Sequence, residues 1–143
     1  MKNLNFITSE MKRTIFFIFL LYINFLNAQD KKAAPFIKQI SFKDGKILLN
    51  KKVAYHYISK DNDFLIKDLK DNNVIKGSIS YLGDNKFSNI ITFVASNKQF
   101  YSEKIIGRNQ LFFALCKDNI INESFEIDES KLGQFIEENN ESK

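Results

Sequence analysis

Cysteine, proline, tryptophan and histidine are almost missing from this chain. Across 143 residues Cys116, Pro35 and His56 each stand alone, and Trp does not occur. One thiol forms no intramolecular disulfide, so the fold depends on its apolar core. A single proline excludes a Pro-rich stalk. One histidine removes His-rich metal sites and leaves any His-activated nucleophile with one candidate base. Gly-rich phosphate loops, the G-x-S-x-G elbow and H-E-x-x-H are also missing. Asp61-Asn62-Asp63 opens like a calcium loop, but Ile66 and Asn72 stand where that loop needs Gly and Glu. No catalytic constellation, no cofactor and no metal are expected.

Among what is present, the N-terminal grease is the most informative. Lys12 and Arg13 precede an apolar run from Thr14 to Leu26, and Asn27-Ala28-Gln29 follows. A basic region, a short apolar stretch and a small residue are the three parts of a secretory signal peptide. As a helix the run covers roughly 20 Å, short of a hydrocarbon core of about 30 Å. Cleavage is expected after Ala28, leaving Gln29 first, although Leu26 is larger than usual three residues before the cut. Met11 is an alternative start. The leader resembles those of exported Gram-negative proteins, which implies a periplasmic or extracellular setting with no membrane span after processing.

The leader distorts the charge. It carries Lys2, Lys12 and Arg13 against Glu10, so 18 of 21 basic and 16 of 17 acidic residues remain after it. That near balance gives no reason to expect a nucleic-acid partner. Fifteen Phe and many Ile supply a core without disulfides. The expected organisation is a signal peptide over 1–28, a polar lead-in over 29–35, one β-rich domain over 36–138 and a frayed tail over 139–143.

From Ile37 the apolar pattern has period two. Asp44-Gly45 is a two-residue turn of the I′ kind, pairing Phe42 with Ile47 and Ile40 with Leu49 on one face, with Lys43 and Lys46 on the other. Val53, Tyr55 and Tyr57 are expected on one face, and Ile75, Gly77, Ile79 and Tyr81 on one face. Short strands with polar turns predict an α+β fold: an antiparallel meander, sandwich or half-barrel, with one or two C-terminal helices packed on it. Asn109 is expected to cap the first helix, whose stripe is Leu111, Phe112, Leu115 and Cys116. Asp128 is expected to cap the second, stapled by Ile127 on Leu132 and buried through Leu132, Phe135 and Ile136.

Two groups of residues have binding chemistry. Arg108, the sole arginine after the leader, precedes Asn109 at a helix start and can hold a carboxylate or phosphate; the plainer alternative is an ion pair with the domain's own acids. Tyr55, Tyr57 and Tyr101 belong to an aromatic set able to stack on a sugar or a partner's apolar patch, or simply to fill the core. His56 points away from Tyr55 and Tyr57 and reads as a sheet-surface residue. Cys116 reads as buried and inert. These features predict a non-catalytic binding module whose partner is an envelope protein, a glycan or a small ligand. A small envelope hydrolase using fold-assembled carboxylates, or a carrier of an apolar ligand between sheet and helices, are the alternatives.

Overall fold

The computed structural model describes residues 33–142, so the expected leader and its cut between Ala28 and Gln29 lie outside the described residues. Seven strands come first: β1 (Ile40–Lys43), β2 (Lys46–Leu49), β3 (Lys52–Lys60), β4 (Asp63–Lys67), β5 (Asn73–Gly83), β6 (Lys86–Phe93) and β7 (Lys98–Ser102). Each pairs antiparallel with the next, in chain order, to give one open sheet. Helices α1 (Gly107–Lys117) and α2 (Glu129–Asn139) follow. The α+β class and the meander are as predicted.

Turn chemistry sets the first register. Asp44 (φ 49°) and Gly45 (φ 70°) both take the left-handed conformation that a I′ hairpin requires. Phe42 then pairs with Ile47, Ile40 with Leu49 and Lys43 with Lys46, as expected. The next pair departs from simple alternation. Tyr55 lies opposite Ile47 but Val53 lies opposite Leu48, so Ala54 is an extra residue in β3. This bulge moves Val53 off the face of Tyr55 and Tyr57, a correction that strict period two could not foresee.

Further along, Gly77 faces Phe64 across β4 and β5. A Cβ at Gly77 would lie 2.0 Å from Phe64 Cζ, so the ring occupies the space that a side chain would take. One sheet face is closed by the helices. Ile47, Leu49, Ile66, Ile75, Ile91 and Phe93 from the strands share a buried core with Leu111, Phe112 and Leu115 of α1 and Leu132 and Phe135 of α2. Aromatic edges join the layers: Phe112 meets Tyr55 at 5.4 Å and Phe42 at 6.4 Å, and Phe135 meets Phe100 at 5.8 Å.

The helix ends differ in how well they were foreseen. Helix α2 starts as predicted, with Asp128 accepting from the Ser130 backbone at 3.1 Å. Helix α1 starts two residues before Asn109: Ile106 is its N-cap and gives no side-chain hydrogen bond. Gly107, at φ 78°, accommodates that sharp entry. Residues within the expected tail over 139–143 make hydrogen bonds to the domain. Asn139 completes α2, Asn140 Oδ1 accepts from the Tyr101 backbone at 3.1 Å, and Glu141 N donates to Tyr101 O at 2.8 Å. The C-terminal segment thereby pairs both backbone groups of Tyr101 on the outer edge of β7.

Candidate functional site

Three of the five predicted binding residues come together on the helix-covered side. The Arg108 guanidinium lies between two rings, 4.4 Å from the centroid of Phe42 and 4.3 Å from that of Tyr57. Its Nε donates to Asn109 Oδ1 at 2.9 Å. Among the described residues no carboxylate pairs with Arg108, so aromatic faces hold it where an ion pair was the plainer expectation. The ring cluster continues from Tyr57 to Phe64, tilted at 6.1 Å, and from Phe42 edge-on to exposed Phe113 at 6.4 Å.

Tyr55 and Tyr101 sit elsewhere. Tyr55 is buried, and its hydroxyl donates to the carbonyl of Phe125. Burial, then Cys116, Glu126 and Asp68, raise its pKa well above the ordinary phenol range. Tyr101 alternates with core-facing Phe100 and so stands on the reverse face of the sheet. Its hydroxyl donates to Glu103 Oε1 at 2.9 Å, and that carboxylate is the main reason its pKa is raised.

The reverse face of the sheet has no helix of the described chain upon it and holds the larger groove. Ile58, Leu65, Lys76 and Thr92 lie side by side across β3, β4, β5 and β6, with Lys60, Asp63, Ser78 and Ile90 in the adjoining row. These residues line a concavity of about 560 Å³. Ile58 is 49 % and Ile90 46 % exposed, a high wet fraction for branched side chains and enough to make them candidates for burial by a partner. Alternation also points Lys43, Lys46 and Lys67 to this face. Lys67 pairs with Asp71 in the adjoining turn at 2.9 Å, whereas Lys43, Lys46, Lys60 and Lys76 pair with no carboxylate among the described residues.

A second cavity, of about 250 Å³, brings Asp68, Glu126 and Glu129 near Tyr55, Val74 and Phe125. Two of these three acids, Asp68 and Glu129, have partners of their own. Asp68 Oδ1 accepts from the Lys70 and Asn72 backbones at 2.8 Å, and Oδ2 from Asn72 Nδ2 at 2.8 Å. Those bonds, the Asn72 side chain foremost, hold its carboxyl below the usual range, which suits a loop clasp and opposes a proton donor. Glu129 is 3.9 Å from Lys98. Among the described residues no three His, Cys, Asp or Glu side chains gather to hold a metal ion. Burial pushes the Cys116 thiol up to about 12, far from the thiolate a nucleophile needs.

Compared with protein families, with characterised proteins and with solved structures, the chain matches none. Its geometry therefore stands on its own. Sequence reasoning missed the groove residues Ile58, Leu65, Lys76 and Ile90. A signal was present: Ile58 and Leu65 break the polar half of their strands' alternation, as Ile90 does beside Ile91. Which half was wet could not be read, because both faces of β3 carry apolar residues.

Proposed function

We propose that this chain is an exported, non-catalytic binding module of the bacterial envelope, periplasmic or extracellular, that takes its partner on the uncovered face of its sheet. The observation that supports this is the pair Ile58 and Ile90, half exposed at either side of a groove on a face that carries none of the described helices. Apolar side chains in a concavity with polar neighbours have the composition of a recognition surface. Strand backbones within the sheet are already paired, so recognition there proceeds through side chains. Export rests on the leader alone, and native protein beginning at Gln29 by intact mass is its test.

The binding reading is tested by comparing wild type with Ile58→Ser/Ile90→Ser and with a helix-face control, Gln134→Ser. Each is used as bait in an envelope extract after circular dichroism has verified its fold. A partner retained by wild type and by the control but lost from the double variant is expected. Equal retention by all three removes the open face from consideration.

A second reading is favoured by Arg108. Its guanidinium lies over two rings, and among the described residues only its Nε has a hydrogen-bond partner, which leaves its fork to accept a carboxylate or phosphate. Titration with inorganic phosphate, followed by the Nε–H resonance of Arg108, tests it; a resonance that does not move contradicts it.

A further inference from the structure

Resting on the reading of the open face as the docking surface, we propose that its occupant is an acidic amphipathic helix of a partner protein. The charge of the face carries the sign. Within the groove Lys60 and Lys76 stand against Asp63, and Lys43 and Lys46 project to the same face beyond it, where Lys67 is already paired with Asp71. Their sequence positions are scattered, and only the strand register brings them onto one surface. Lysines around an apolar centre complement a helix with an apolar stripe and glutamates or aspartates at its flanks.

The form of the occupant follows from the backbone. An added strand needs unpaired N–H and C=O groups, which belong to sheet edges, while the groove lies across the paired strands β3 to β6. At about 4.8 Å per strand the groove spans roughly 14 Å, between two and three helical turns. Ile58 and Leu65 at one side and Ile90 at the other are thus placed to meet residues on successive turns. The same sheet already accepts α1 and α2 on its other face by apolar stripes. Nucleic acid is disfavoured because Arg108 and most aromatics lie on the opposite face, leaving little for bases to stack on. An anionic bilayer is disfavoured because the apolar residues line a concavity, which a flat lipid surface does not fill.

Two synthetic helical peptides with one leucine stripe, flanked by Glu in the first and Lys in the second, are titrated into the full mature protein by fluorescence anisotropy. The Glu peptide is expected to bind at least about tenfold tighter, with affinity falling as salt is added. Lys60→Glu/Lys76→Glu, both exposed positions, is expected to weaken the Glu peptide about tenfold and to strengthen the Lys peptide. Equal binding of both peptides, or no effect of charge reversal, overturns the acidic occupant. If in that case Ile90→Ser still weakens both, the docking face survives and only its proposed chemistry falls. Binding of neither peptide, with Lys60- and Lys76-dependent binding to phosphatidylglycerol vesicles, overturns the proposal in favour of a membrane surface.

Discussion

Two glycines separate space from propensity. At Gly77 an added methyl meets the Phe64 ring, whereas at Gly133 in α2 nothing lies within 4 Å. Gly77→Ala is therefore expected to lower stability by about 1–3 kcal/mol through overpacking. Gly133→Ala should raise it by about 0.5–1 kcal/mol through helix propensity. Urea denaturation of the two variants checks both signs, and a stabilising Gly77→Ala would show that Phe64 has another place to go. Arg108 invites a related prediction. Removing a cation from between Phe42 and Tyr57 in Arg108→Ala should cost about 1–2 kcal/mol, with Arg108→Lys recovering only part because an ammonium cannot lie flat on two rings. Sequence alone marked Arg108 as special without naming its partners, since Phe42 and Tyr57 reach it from distant strands.

Elements were legible where local chemistry is decisive. Asp-Gly fixed the β1–β2 hairpin and Asp128 fixed the start of α2, because a turn or cap is decided within a few residues. The Ala54 bulge and the docking of the C-terminal segment were not legible, since each depends on neighbouring strands. That docking is pH-sensitive. Lys104 at 2.8 Å, with the Glu103 backbone and Ser102 hydroxyl, holds the Glu141 carboxyl down to about 2. A depressed carboxylate contributes its stabilisation fully above its ordinary value of 4.5 and loses it as pH falls toward 2. Amide exchange at Glu103 and Glu141, taken relative to the intrinsic rate at each pH, should accelerate over that window in wild type. In Glu141→Gln it should be fast already at neutral pH. Exchange that ignores pH between those limits would mean that the carboxylate does not hold the segment.

Across the whole domain the charge is segregated, which the nearly neutral total conceals. Residues 34–117 carry fourteen Lys or Arg against seven Asp or Glu, while residues 118–142 carry eight acids against Lys131. The basic part forms the sheet and α1, and the acidic part forms α2 and its flanks. Such an asymmetric field steers an acidic partner toward the strands and away from α2. The period-two pattern was enough to read a sheet with helices on it. It could not say which face stays wet, because alternation gives both faces apolar residues and only the helices choose between them.

The central claim, that the uncovered sheet face is where this protein binds, is tested most directly by mapping. Amide chemical shifts of the isotopically labelled protein are recorded while the Glu-flanked helical peptide is added. The account predicts that the largest shifts fall on Ile58, Leu65, Lys76 and Ile90, with α1 and α2 nearly unchanged. Shifts concentrated on the helices or around Arg108, with those four residues still, would contradict it.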